Sequence, residues 1–226
     1  MKSILLIETS SEFCSIALSK DRELLAQAKS DETFKHAEHL FLQLDALCRK
    51  AQIAYNEIGA VAVSAGPGSY TGLRIGLSAA KGLCLAWGVP LITISTLKIM
   101  ASAFFRKYPH HQGVCIPMID ARRMEVYYGV YDDLLTALSK EDAHELTSDS
   151  FRVWTGQNPA FIGNGAGKFK DLWAAASGRF DLVADWAAAD MAALAAEAYL
   201  NGAFANLAYS EPEYLKPFFT TAKPIE

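Results

Sequence analysis

The stretch Ser64-Ala65-Gly66-Pro67-Gly68-Ser69-Tyr70-Thr71-Gly72-Leu73-Arg74-Ile75-Gly76 constrains the fold more than any other part of the chain. An apolar run at residues 61–63 enters it as a buried strand would, and an unbroken helical pattern over 71–87 leaves it, which makes a strand, glycine loop, helix unit. Gly66 and Gly68 permit positive φ and close approach of a ligand, while Pro67 fixes one φ between them and removes one amide donor. The amides of residues 69–72 would point out of a helix N-terminus, where unpaired donors and the helix dipole favour an anion. A tight turn feeding a buried helix accounts for the loop equally well. The Walker pattern is excluded, because no Lys-Ser or Lys-Thr pair follows the glycines.

The helix after the loop carries Gly72, Gly76, Ala80, Cys84 and Gly88 at every fourth position, a row of small side chains along one face. Two helical glycines together cost roughly 2 kcal/mol relative to alanine, so the row implies a backbone approaching closely, either from this chain or from a partner.

With 226 residues, 51% hydrophobic and 20% charged, the chain can form two domains of about 100 residues. Its 21 Lys and Arg against 25 Asp and Glu leave a net charge of -4 without a dense basic block, which argues against autonomous binding of RNA or DNA. Cys14, Cys48, Cys84 and Cys115 are scattered through apolar patterns, as core thiols are. The apolar run near the N-terminus is too short for a signal peptide or a membrane span, so a cytoplasmic protein without a membrane association is expected.

Residues 4–7 read as a buried strand ending at Glu8, residues 13–18 and 24–28 as two more strands in a meander, and residues 34–51 as an amphipathic helix. After the glycine loop and its helix come a strand at 89–94 and a helix at 96–107. The turn-rich residues 108–113 mark a domain boundary, giving domains 1–108 and 109–226. A fainter second copy follows, with strands at 114–119 ending in Asp120, at 125–131 and at 134–138, and a strand running into the loop Gly163-Asn164-Gly165-Ala166-Gly167. Two copies of one βββαβα plan imply an internal duplication. Asp190 is placed to cap a helix over 191–201, and the tail from residue 209, with three prolines among its aromatics, reads as an extended strap.

A duplicated βββαβα plan with an acid ending each first strand resembles the actin, sugar-kinase and heat-shock ATPase superfamily, an α/β class whose two lobes close over a nucleotide. The words Ile7-Glu8-Thr9-Ser10, the glycine-loop stretch from Ala65 to Gly76, Lys81-Gly82-Leu83, Ile119-Asp120-Ala121-Arg122 and Gly163-Asn164-Gly165-Ala166 resemble the TsaB (YeaZ) family, most strongly over residues 1–128. The resemblance implies a non-catalytic subunit without a cofactor or metal of its own. In that family it pairs with the related TsaD and, with the ATPase TsaE, supports transfer of a threonylcarbamoyl group onto adenosine beside the anticodon of tRNAs reading ANN codons. It also implies that tRNA is met only through the complex. A further reading is that the helix face self-associates when TsaD is absent, giving a homodimer.

Catalytic TsaD-type chains carry an H-x-x-x-H metal pair whose equivalents here are Thr96 and Met100, neither of which can replace an imidazole. Their two adjacent acids in the first loop correspond to Ser11 and Glu12. The residues placed for a nucleotide or anion are Glu8, Thr9, Gly66, Gly68, Ser69, Thr71 and Gly72. For the TsaD interface they are Gly72, Gly76 and Ala80 on one helix, with Leu42 and Ala46 on the other. The opposing reading is an enzyme in its own right, a stand-alone ATPase or a metalloprotease-like hydrolase, built on Glu8, Ser69, Thr71 and Asp120. Glu8, Asp120 and Glu125 are expected to cap strand ends rather than to hold magnesium. His36 and His39, at i and i+3, are expected to be exposed helix histidines without a third ligand.

Overall fold

A computed structural model of the chain describes residues 2–30, 36–173, 178–182 and 185–216, with the backbone alone at 36–39. In strand β1 (Ser3–Glu8) alternate side chains enter two cores: Leu5 and Ile7 face one, Ile4 and Leu6 the other. Both faces of the strand are dry, which is why its sequence is a continuous apolar run rather than an alternation. Strand β4 (Ile58–Gly66) repeats the pattern, with Val61 and Val63 opposed to Ala60 and Ala62. Strands β2 (Ser15–Lys20) and β3 (Glu23–Lys29) extend β1 as an antiparallel meander, and β4 and β5 (Leu91–Ser95) add to it in parallel, giving the order β3-β2-β1-β4-β5. Helices α1 (His36–Ala51) and α2 (Tyr70–Trp87) cover one face of this sheet through Leu40, Leu44, Leu47, Leu77 and Leu83.

The second sheet is made of β6 (Cys115–Asp120), β7 (Glu125–Tyr128), β8 (Asp142–Glu145), β9 (Ala160–Ile162) and β10 (Arg179–Asp181). Its order, β8-β7-β6-β9-β10, with β6 to β8 antiparallel and β9 and β10 parallel, is the permutation of the first sheet. The chain therefore has the duplicated actin-like α/β fold. Its second copy is abbreviated: a 3-10 turn, Arg152–Gln157, stands where α1 stands in the first, and α4 (Ala166–Lys170) has five residues.

Helix α3 (Thr96–Lys107) lies between the sheets, sending Ile99 toward the first and Leu97, Met100 and Phe104 toward Cys115, Ile119 and Ile162 of the second. Helix α5 (Ala192–Leu200), although it follows the second sheet in sequence, packs Ala192, Leu194 and Ala195 on Ile4, Leu6 and Ile92 of the first. The cores thus cross the chain midpoint twice.

Three local expectations are corrected. The third strand of the second copy is residues 142–145, not 134–138. There the Asp132 carboxylate accepts the amides of Leu134 and Thr136 (3.0 and 2.7 Å) and bends the segment into a turn, leaving Leu134 82% exposed. The second strand ends at Tyr128 instead of Tyr131, which keeps only isolated bridges, to Cys115 and to Ala137. Asp190 sits inside a 3-10 turn, Ala188–Met191, that precedes α5, where its carboxylate accepts the Ala187 amide (2.9 Å) and the Arg106 Nε (2.7 Å). The side chains of His36 and His39, and the tail beyond Lys216, lie outside the described residues.

Candidate functional site: the interlobe cleft and the outer helix face

The glycine loop is a socket for the chain's own first turn. The Ser69 amide donates to the Ser10 carbonyl (2.7 Å), and the Ser69 hydroxyl caps α2 by accepting the Gly72 amide (3.2 Å). Side chains added at Gly68, Gly72 or Gly76 would enter space held by the Ser10 carbonyl, the Thr9 carbonyl and the Thr9 hydroxyl, respectively. The small-residue row of α2 therefore faces inward. Gly72, Gly76 and Ala80 are buried against this chain rather than turned to a partner: the two glycines lack the Cβ that would block Thr9, and Ala80 packs in the core of the first sheet. Of the residues expected to bind an anion, Glu8 and Thr9 are fully enclosed, Gly66 and Gly72 are buried, and the Ser69 and Gly72 amides are taken. Only Gly68 and Ser69 line a cavity, and Thr71 is exposed.

That cavity, about 640 Å³, lies between the loop and the second sheet. Pro67, Gly68, Ser69 and Tyr70 form one wall, Asp120, Ala121, Arg122 and Tyr127 the opposite one, and Glu213 to Lys216 of the C-terminal strap the third. The strap is positioned by main chain: Ala205 bridges Leu91, and the Glu213 amide donates to the Ala65 carbonyl (2.7 Å). Gly66 is required here twice over. Its φ is +125°, and a Cβ would lie 2.6 Å from the Glu213 carbonyl oxygen. From α2, Lys81 holds the Ala208 and Ser210 carbonyls (3.1 and 3.2 Å), and Arg74 donates to the Tyr214 hydroxyl (3.1 Å).

The acids at the cleft are occupied by lysines of this chain. Asp120 accepts Lys168 (2.6 Å) and the Arg122 amide (2.6 Å), and Glu125 is paired with Lys216 of the strap. Burial alone would raise the Asp120 carboxyl, but Lys168 and the Arg122 amide outweigh it and hold it below its ordinary value. Glu8, its counterpart in the first copy, is 0% exposed; Oε1 accepts the Ser10 amide (2.6 Å) and Oε2 has no partner among the described residues. Desolvation pushes Glu8 up to about 7. Among the described residues no three His, Cys, Asp or Glu converge on a metal position. Thr96 and Met100 are both 0% exposed inside the α3 core. The four cysteines are buried free thiols.

A second surface lies on the outside of α1 and α2. Leu42 is 75% exposed and Leu85 78%, Phe41 and Ala46 are also exposed, and a groove of about 470 Å³ runs between the helices. The outward small residues of α2 are Ser78, Gly82 and Ala86, again at every fourth position, and no described residue outside the helix's own turns lies within 4 Å of a Cβ at Gly82. Spacing alone does not distinguish this row from the one at Gly72, Gly76 and Ala80; exposure, which sequence does not carry, separates the two.

The family model described as "TsaD: tRNA N6-adenosine threonylcarbamoyltransferase" matches residues 30–216. The Escherichia coli (strain K12) "tRNA threonylcarbamoyladenosine biosynthesis protein TsaB" is 30% identical over 94% of both chains. The Buchnera aphidicola (Acyrthosiphon pisum) protein of the same name is 34% identical, with the match spanning only 57% of each chain. The solved structure "YeaZ from Pseudomonas aeruginosa" superposes with a TM-score of 0.81 at 27% identity, over 95% of this chain and all of the other. Likeness in sequence across almost the full length, joined to a shared duplicated fold, means that the chain belongs to the TsaB (YeaZ) family.

Proposed function

We propose that this chain is a non-catalytic subunit of tRNA threonylcarbamoyladenosine biosynthesis, which docks TsaD through the outer face of α1 and α2 and, with TsaD and TsaE, supports threonylcarbamoyl transfer to tRNAs reading ANN codons. The observation that carries the docking is a face that no described residue covers: Phe41 and Leu42 of α1 and Leu85 of α2 stand in solvent, and α2 carries a glycine, Gly82, that no described neighbour explains. A closely approaching helix would account for both. Catalysis is assigned to TsaD because the positions that resemble its metal ligands are Thr96 and Met100, sealed in the core, while Asp120 and Glu125 are held by Lys168 and Lys216. The protein acts in the cytoplasm, as tRNA modification requires, and no described helix is long and apolar enough to cross a membrane.

Depletion of the protein followed by mass spectrometry of tRNA nucleosides tests the pathway: threonylcarbamoyladenosine should fall, and an unchanged level rejects the assignment. For the surface, Leu42→Asp should keep the fold, since the side chain is 75% exposed, yet abolish co-elution with TsaD in size exclusion. Normal co-elution moves the interface elsewhere.

A further inference from the structure

Arg74 belongs to two surfaces at once. Among the described residues it is the one charged residue lining the α1/α2 groove, whose other walls are Leu40, Phe41, Ile75, Ser78 and Ala79. It also holds the strap: its Nε donates to the Tyr214 hydroxyl (3.1 Å) and its guanidinium carbon lies 4.0 Å over the Tyr70 ring, and both tyrosines line the interlobe cleft. A guanidinium has five N–H donors, so with Nε given to Tyr214 and a further hydrogen bond to Tyr70, the donors that remain can still receive a carboxylate. No described carboxylate pairs with Arg74, so an apolar helix seated over the groove would strip water from the cation without supplying a counter-charge, whereas one bringing an acid would compensate it.

We propose that the partner seated in this groove contributes an Asp or Glu carboxylate that clamps Arg74, and that the clamp holds the strap shut over the cleft, so that occupancy of the outer helix face and closure of the cleft are coupled. The proposal rests on the reading that TsaD docks here, and it names the chemistry of the contact and its consequence. Lys81, the other strap anchor, lies on the same helix, so α2 meets the partner on one side and the strap on the other.

The test uses the full chain with and without purified TsaD, reading co-elution, affinity and hydrogen–deuterium exchange at residues 213–215. In the wild type, TsaD should slow strap exchange about fivefold or more, the lower end of ordinary coupling between sites. Tyr214→Phe leaves the groove intact and removes only the hydroxyl that Arg74 holds, so it should bind TsaD normally and lose the added protection. Arg74→Gln should bind TsaD about thirtyfold more weakly or worse, the low end for losing one member of a desolvated charge pair. Co-elution without any change in strap exchange, protection that survives in Tyr214→Phe, or unchanged affinity in Arg74→Gln each overturns the proposal. Absence of co-elution with the wild type overturns the docking reading, and the coupling with it.

Discussion

Alanine at two glycines of α2 should shift stability in opposite directions. Gly82 is exposed, with open space where a Cβ would stand, so Gly82→Ala gains the helix propensity difference of about 1 kcal/mol. Gly72→Ala gains the same amount, but its Cβ would enter the van der Waals envelope of the Thr9 carbonyl oxygen. That oxygen cannot retreat: Thr9 is fully buried, its amide donates to Ser64 Oγ (3.3 Å), and Ser10 is tied at its amide to Glu8 and at its carbonyl to Ser69. Overpacking against fixed backbone costs about 1 to 3 kcal/mol, and with neither neighbour able to yield the upper half applies, leaving a net loss of about 1 to 2 kcal/mol. For a chain of this size about 1 kcal/mol is about 2–4 °C in Tm, so Gly82→Ala should melt about 2–4 °C above the wild type and Gly72→Ala about 2–8 °C below it. Scanning calorimetry on the three proteins in one buffer decides the matter. If the two variants move together, the inward and outward faces of α2 have been assigned wrongly.

Glu8 makes stability depend on pH. Its folded value of about 7 stands above the ordinary 4.5, so the folded state holds a proton that the unfolded chain has released, and stability falls as pH rises from about 4.5 to 7 and then levels off, by about 3 kcal/mol in all. Glu8→Gln keeps an acceptor for the Ser10 amide and should flatten that part of the Tm against pH curve; a slope that persists in the variant assigns it to other groups. Asp190→Ala removes the acceptor of both the Ala187 amide and Arg106 and should cost about 1 to 3 kcal/mol in urea denaturation, with a loss below about 0.5 kcal/mol counting against a structural role. Gly66→Ala should expel the strap without unfolding the sheets, read as accelerated protease cleavage within residues 203–216; an unchanged digest would mean that the Glu213 carbonyl yields easily.

The first half was legible because its strands are buried on both faces and its helices are amphipathic, so residues 4–7 and 96–107 announced themselves by hydrophobicity alone. The second half was less so. Strand β8 is Asp-Ala-His-Glu, held by pairing with β7 and by ring contacts of His144 with Tyr128 and Phe151, and none of that leaves an apolar pattern. Leu134 and Leu138 mimic a strand, yet a single aspartate captures the amides that a ladder would need. At the site, sequence located the glycine loop and the paired acids but not their partners, since Lys168, Lys216 and the strap are far away in the chain. Spacing revealed a row of small residues on α2; only the position of residues 8–10 tells which such row is inside.

The crossing of α3 and α5 makes the two halves mutually dependent for folding, whatever the sheets look like individually. Without residues 109–226, one face of the first sheet, formed by Ile4, Leu6, Ala60, Ala62 and Ile92, loses Met191, Leu194 and Ala195, and α3 loses the second sheet beneath Leu97, Met100 and Phe104. Each large apolar side chain so exposed forfeits about 1.5–3 kcal/mol of burial, and five or six of them together match the whole net stability of an ordinary domain, about 5–15 kcal/mol. A fragment of residues 1–108 should therefore be insoluble or unfolded by circular dichroism when expressed alone, and recover native spectra when co-expressed with 109–226. The intact chain should show one calorimetric transition. A soluble, cooperatively melting 1–108 fragment would mean that α3 can fold back on its own sheet, and the shared core would then be a docking of two finished domains rather than the condition for either to fold.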